Sequence, residues 1–311
     1  MPENSDARLF KLAEEFRIGR GINPDEQINM LNHLEKSSKE EIIDVLNFFV
    51  VRESNPKMLF HIVKMIEKYH DKKSVNPLID LLLLRTQENL TNSNDFLNVR
   101  CLTAKVLGNL KDNNAVFPLL FTLNNKGENY KLRFSAAEAL GRIGDKYAVA
   151  PLIEVVSDEE EKSVYLRESA AKALGLLGDS RASEPLLSVL ETKKGIMDKF
   201  TFLKERLIEA IGKLGLRDSR TIKTLSNSLL DESATVRLGA IEALAELSDD
   251  RVIPLIEKMI DDDEEEVARC AINELYNVAG KNYIIKLLSR DNLPGWCREE
   301  IETIIEGDGH E

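Results

Sequence analysis

The sequence predicts an all-α solenoid of stacked, antiparallel helix pairs, and three observations carry that prediction. First, "RFSAAEALGRIGDKYAVAPLI" from Arg133 returns from Arg167, 34 residues on, as "RESAAKALGLLGDSRASEPLL". Arg, Ala-Ala, Ala-Leu-Gly, Gly-Asp, Ala and Pro-Leu keep their register. A period of that size marks a stack of repeats, because each unit buries its apolar face only against its neighbours. Second, the apolar residues of the phrase include Ala136, Ala137, Leu140 and Ile143, one stripe of a helix with 3.6 residues per turn. Third, no segment alternates β-branched and polar residues as a strand would, and the apolar runs are built of Leu and Ala.

Each element of a unit has its own start and stop signals. Gly144 follows the last apolar residue of the striped helix, where a left-handed cap is wanted. Asp145 opens the turn, and Pro151 falls in the first turn of the next helix, where its missing N–H is harmless. "PLIEVVSD" completes that short helix, an acidic turn follows, and the next striped helix begins. Small residues in the stripe let neighbouring helices approach closely. Copies of the striped helix start at Leu59, Arg100, Arg133, Arg167, Lys204, Arg237 and Ala268, at intervals of 41, 33, 34, 37, 33 and 31. The Leu59 copy lacks the Arg and both Gly but keeps Asp71 and Pro77 in register.

The expected pairs are 5–18/24–36, 39–52/56–70, 75–89/95–110, 114–124/130–143, 147–157/163–177, 181–192/198–214, 219–230/234–247 and 250–261/264–279. That makes about eight pairs, with extended turns at 86–96 and 192–200 and a C-terminal cap at 281–306. In domain terms, degenerate repeats fill 1–58, the repeat array 59–280, the helical cap 281–306 and a disordered tail 307–311. Trp296, the sole tryptophan, is expected to pack over the last repeat and close its apolar face.

The Arg, Ala-Ala, Ala-Leu-Gly, Gly-Asp and Pro-Leu sets resemble the HEAT-repeat superfamily, in its phycobilisome-lyase HEAT-like subgroup. The resemblance is strong over 100–190, fair over 200–275 and weak before Leu59. It implies a HEAT-type α-solenoid, and for function it implies only a range: scaffolds, regulators, bilin lyases and one metal hydroxylase.

Charge is uneven along the chain. The net charge is −12, yet residues 231–311 hold 21 Asp and Glu against 8 Lys and Arg, while 1–230 hold 33 against 34. That balance argues against wrapping a nucleic-acid backbone, which needs a basic face. Two readings of the acidic quarter remain: solubility, or a basic partner at the C-terminal end. The first thirty residues are charged throughout, so no secretory signal is expected. The longest uncharged run, Asn113–Asn125, has thirteen residues, four Asn and a Pro, too short and polar to span a bilayer. Cys101, Cys270 and Cys297 write no disulfide framework and no CxxC site. A cytoplasmic protein is expected, with neither nucleic acid nor membrane among its partners.

Chemistry is sparse. The resemblance extends to deoxyhypusine hydroxylase, which places His-Glu pairs at the start of second helices to hold two irons. The corresponding residues here are Phe134-Ser135, Glu168-Ser169, Glu205-Arg206 and Leu238-Gly239, and none is His-Glu. His33, His61, His70 and His310 do not supply the converging ligands such a site needs. His70-Asp71 reads either as an orienting pair or as a polar helix end. No phosphate loop and no nucleophile elbow is present. "DDDEEE" at 261–266 lacks the spacing of a calcium loop and, like "SDEEE" at 157–161, reads as a solvated turn or a docking site for a basic peptide.

In HEAT arrays the second helices line the concave side, so residues five and nine beyond each anchor are expected to face outward there. The first set is Lys64, Lys105, Glu138, Lys172, Glu209, Glu242 and Asn273; the second is Lys68, Asn109, Arg142, Leu176, Lys213, Glu246 and Asn277. Charge along them runs from basic through mixed to acidic. Phe60, Phe134 and Leu238 add apolar surface, as a peptide groove requires, or fill gaps between repeats. The anchor arginines are expected to be structural, bonding turn carboxylates or carbonyls between layers.

The reading is a non-catalytic, protein-binding scaffold or adaptor, with no catalytic residue, cofactor or metal expected. Its partner is another protein or peptide segment, basic toward the C-terminal end. The expected contacts are Phe134, Glu138, Arg142, Lys172, Glu209, Lys213, Leu238, Glu242 and Glu246. Two alternatives stay open: a bilin-lyase-like enzyme or chaperone subunit, and a metal-dependent oxidoreductase related to deoxyhypusine hydroxylase, disfavoured by the missing His-Glu pairs. Bilin absorbance and iron content separate them from a scaffold.

Overall fold

The computed structural model describes residues 23–33, 38–83, 94–192, 200–290 and 293–307. These residues hold seventeen α-helices, short 3-10 turns and no strand, so the described residues are all-α, as the repeat predicts. The expected helix at 5–18, most of the extended turns at 86–96 and 192–200, and the tail lie outside the described residues.

Two compact units emerge, 1–151 and 152–311. The first contains α1 (Pro24–His33), α2 (Lys39–Val50), α3 (Pro56–Tyr69), α4 (Val75–Leu83), α5 (Asn94–Leu110), α6 (Val116–Asn124) and α7 (Tyr130–Ile143). α8 (Val149–Ser157) starts at the division. The second contains α9 (Val164–Leu177), α10 (Ser183–Glu191), α11 (Thr201–Leu214), α12 (Ser219–Ser228), α13 (Ala234–Glu246), α14 (Ile253–Glu257), α15 (Glu265–Ala279), α16 (Lys281–Leu287) and α17 (Gly295–Gly307). The expected helix 250–261 is broken here. Only Ile253–Glu257 is α-helical, between 3-10 turns at Asp250–Val252 and Lys258–Asp261, the tightening common at helix ends.

The turn that leads from a second helix into the next repeat is built, in five places, by two residues. A left-handed residue ends the second helix: Gly144, Gly178 and Gly215, at φ of 84°, 62° and 64°. His70, Lys111 and Ser248 take the same place with side chains, at 51°, 50° and 49°. An Asp then caps a 3-10 turn by accepting the amide two residues on: Asp71 from Lys73, Asp112 from Asn114, Asp145 from Tyr147, Asp179 from Arg181 and Asp249 from Arg251. His70-Asp71 is therefore a helix end.

The anchor arginines are structural, in a more local way than expected. The Nε–H of Arg100, Arg133 and Arg167 donates to the carbonyls of Leu82, Leu123 and Val156, at 2.9, 2.8 and 3.0 Å. Each carbonyl belongs to the penultimate residue of the repeat's own first helix, where no intrahelical donor remains. The carboxylate partners do cross layers: Arg100 forks onto Glu128 at 2.9 and 2.6 Å, and Arg237 onto Asp262 at 2.8 and 2.7 Å.

Second helices stack through small residues. A Cβ on Gly108 would stand 2.6 Å from the Ala139 Cα, and one on Gly175 would stand 3.0 Å from the Ala210 Cα. At the C-terminal end the sequence expectation needs correcting. Cys297 and Ile301 are the fully buried residues of α17. Trp296 is only half-buried, with the Arg269 guanidinium 5.1 Å from its ring, because its position on α17 puts it at the rim of the contact.

Candidate functional site

In the first unit, the outward positions of the second helices form a chain of polar contacts rather than a basic stripe. Glu67 bonds Lys64 at 3.0 Å and Lys105 at 3.1 Å, and lies 3.5 Å from Asn109. Burial pushes the Glu67 carboxyl up, but the two lysines outweigh it and hold the group below its ordinary range. Arg142 pairs with Glu138 at 3.6 Å and donates to Asn109 at 3.3 Å. Phe134 is half-buried, while Phe60 is exposed. Glu67 sits eight residues beyond its anchor, a position the register assigns to packing, so the sequence reading missed it.

In the second unit, one set of expected residues comes together on α11, α13 and α15. Glu209 bonds both Arg206 and Lys213. Burial pushes its carboxyl up, but Lys213, Arg206 and Lys172 bring it below the usual range. Lys172 is exposed. Glu242 and Glu246 are also exposed, and neither makes an ion pair or hydrogen bond among the described residues. Partial burial raises the Glu242 carboxyl, with Glu274 and Glu209 adding to it. Partial burial likewise raises Glu246, against the pull of Lys213 and with help from Glu209, Glu242 and Glu274. The same surroundings push the Cys270 thiol up to about 12, through burial and then Glu242, Glu274 and Glu266.

Leu238 is half-buried, so it offers less surface than expected. The large exposed apolar residues of the second helices α9, α11, α13 and α15 are Tyr165 and Leu176 on α9 and Phe202 on α11. Tyr165 and Phe202 stand two residues before their anchors. A helix places that position on the same face as the fifth and ninth residues beyond, so the period alone could have found them.

The acidic turns are occupied locally. Asp158 accepts the Glu160 amide and Glu161 the Ser163 amide, both at 3.0 Å, and Asp262 holds Arg237. A cleft of about 680 Å3 lies between α10 and α12, lined by Glu191, Lys204, Arg220, Thr224 and Asp231 among others. Four of its charged groups pair with one another, Arg220 with Glu191 at 2.7 Å and Lys204 with Asp231 at 2.6 Å, and Arg220 also reaches Glu184. His61 bonds Asn32 at 3.0 Å. Among the described residues no group of three or more His, Cys, Asp or Glu is placed to hold a metal ion, and no helix is long and apolar enough to cross a membrane.

The family model for HEAT repeats matches residues 88–165, 117–199 and 197–275, more than half of the chain. The chain belongs to the HEAT-repeat family. No curated protein sequence matches it. Among solved structures, this HEAT-repeat chain is similar to the complex of CpcE and CpcF of phycocyanin lyase from Nostoc sp. PCC7120, at 22% identity and TM-score 0.47, covering 74% of this chain and 94% of that one. Human deoxyhypusine hydroxylase in complex with glycerol is 16% identical, TM-score 0.37, covering 89% and 99%. An archaeal HEAT-like repeats protein from Thermococcus onnurineus NA1 is 18% identical, TM-score 0.43, covering 75% and 96%. At these values the likenesses assign no activity, ligand or partner.

Proposed function

We propose that this HEAT-repeat chain is a non-catalytic scaffold whose second-helix face, over α9, α11, α13 and α15, takes a basic polypeptide segment. The observation that carries the reading is the state of Glu242 and Glu246. They make no ion pair or hydrogen bond among the described residues, and partial burial first, then the neighbouring carboxylates Glu274 and Glu209, disfavours their ionised forms, with Lys213 pulling Glu246 the other way. A lysine or arginine brought there relieves that repulsion. Exposed carboxylates steer a basic segment into contact more than they hold it, so salt slows capture. Tyr165, Leu176 and Phe202 supply apolar contacts at the other end of the face, and Lys172, Glu209, Lys213 and Leu238 lie between. In the first unit, Phe134, Glu138 and Arg142 take the equivalent register positions and form a separate candidate contact.

A fluorescent sixteen-residue peptide rich in Lys and Leu serves as probe, read by anisotropy against the full chain. Binding is expected to weaken as salt rises. It is expected to lose roughly 1–3 kcal/mol in the Glu242→Lys, Glu246→Lys double variant. Unchanged affinity and unchanged salt dependence in the folded variant would remove the site from this face.

A further inference from the structure

Two consecutive repeats carry the same pair at the start of the second helix. Two residues before the anchor stands an aromatic residue, and one residue after it a glutamate: Tyr165 and Glu168 around Arg167, Phe202 and Glu205 around Lys204. No other anchor has both. Residues three apart on a helix are neighbours on its surface, so α9 and α11 each set a ring beside a carboxylate. The rings stand in solvent, Tyr165 60% and Phe202 69% exposed. The two helices run side by side, in contact through Gly175 and Ala210.

The carboxylates are short of positive charge. Glu168 is half-buried and makes no ion pair or hydrogen bond among the described residues. Burial pushes its carboxyl up, Arg206 pulls the other way, and Glu205 adds to the rise. Arg206 is itself engaged, since it bonds Glu209. Glu205 accepts the Thr235 hydroxyl, which satisfies an oxygen and neutralises no charge. Among the described residues no cation lies over the Tyr165 or Phe202 ring.

Ring and carboxylate together say what belongs there. An aromatic face attracts a cation through its quadrupole. An ammonium meets a carboxylate as a point charge, whereas a planar guanidinium stacks on a ring and forks onto a carboxylate at the same time. We propose that Tyr165, Glu168, Phe202 and Glu205 receive an arginine side chain of the segment that lies on this face. The proposal rests on the reading of the face as a docking surface for a basic segment, and adds that its α9–α11 end selects arginine over lysine.

The test compares the Lys- and Leu-rich peptide with the same peptide carrying Arg at every Lys position, both read by anisotropy against the full chain. The Arg peptide is expected to bind about fivefold tighter or more, the size of one or two cation–π contacts. In Tyr165→Leu, Phe202→Leu that preference should fall below about twofold, because leucine keeps apolar area and offers no aromatic face. Glu168→Gln should weaken the Arg peptide more than the Lys peptide. Both aromatic positions are exposed, so the double variant is expected to keep its helical circular dichroism; if it does not, Phe202→Leu alone replaces it. Equal affinities for the two peptides, or an Arg preference that survives the leucine variant, overturns the inference. A Lys peptide that binds with the expected salt dependence but no weaker than the Arg peptide overturns this inference alone and leaves the reading of the face standing. An Arg preference that follows Tyr165 and Phe202 but ignores Glu242→Lys, Glu246→Lys supports the inference and removes the acidic end from the reading. Binding of neither peptide overturns both.

Discussion

The seam between α9 and α11 and the seam between α13 and α15 use the same register to different ends. At the first, Gly175 lies against Ala210, with room for no Cβ closer than 3.0 Å to the Ala210 Cα. At the second, the residues in those two places are Ala245 and Glu274, and the helices pack less closely. Six residues beyond its anchor, an alanine lets the backbones meet. A glutamate cannot, and its half-buried carboxylate instead joins Glu242 and Glu246. Decay of the repeat and growth of the acidic surface are thus one substitution pattern seen twice.

The largest effect that can break this comparison comes from placing the same side chain at both positions. Ala210→Leu drives a branched side chain into a seam closed at backbone contact and is expected to destabilise by about 3 kcal/mol. Glu274→Leu is expected to change stability by no more than about 0.5 kcal/mol, since the site already holds a long side chain. Solenoids need not unfold in one step, so hydrogen exchange of α11 and α15 amides is the measurement. Equal costs at the two positions would mean that the seams do not differ.

A second contrast separates the arginines. Arg167 satisfies a helix-end carbonyl, whereas Arg237 bonds the Asp231 and Glu232 carbonyls and in addition neutralises Asp262. Arg237→Met is expected to destabilise by about 2 kcal/mol at neutral pH. Burial pushes the Asp262 carboxyl up, but Arg237 and the Glu264 amide outweigh that and hold it below its ordinary value. A depressed folded value means that the contribution is complete above the ordinary Asp value of about 3.9 and lost as pH falls through the folded one. The cost of Arg237→Met should therefore shrink below about pH 4, while that of Arg167→Met, whose carbonyl partner does not titrate, should shrink less. Denaturation at pH 7 and pH 3 measures both, and equal pH profiles would contradict the assignment.

Much of this architecture was legible because the repeat writes its own grammar. Arg133, Ala136, Ala137, Leu140, Gly144 and Asp145 each carry one structural task, and a period of about 34 aligns the other copies. What stayed hidden depended on faces and partners. The α6 segment "VFPLLFTLN" is apolar nearly all round, so no stripe distinguishes the exposed Phe117 and Phe121 from the buried Leu119 and Leu120. Glu67 falls at a register position reserved for packing, and only the fold shows two lysines closing on it. Glu242 and Glu246 were readable from the period, but Glu274 and Cys270 join them only through the neighbouring helix.

The smallest effect tests the turn itself. Gly178 and Ser248 both end a second helix in the left-handed region, at φ of 62° and 49°, and each precedes an Asp that caps the next turn. An L-residue with a Cβ is disfavoured there by about 1–2 kcal/mol, while glycine adds conformational entropy to the unfolded chain and returns part of that difference. Ser248→Gly is therefore expected to stabilise the α13 repeat by about 0.5–1 kcal/mol, and Gly178→Ala to destabilise the α9 repeat by a similar amount. Nothing lies within 4 Å of a Cβ built on Gly178, so the loss comes from backbone strain and not from a clash. Gly178→Asn separates the two causes: asparagine is larger than alanine but tolerates the left-handed region better, so it should cost less. An Asn variant less stable than the Ala variant would show that crowding governs this turn after all.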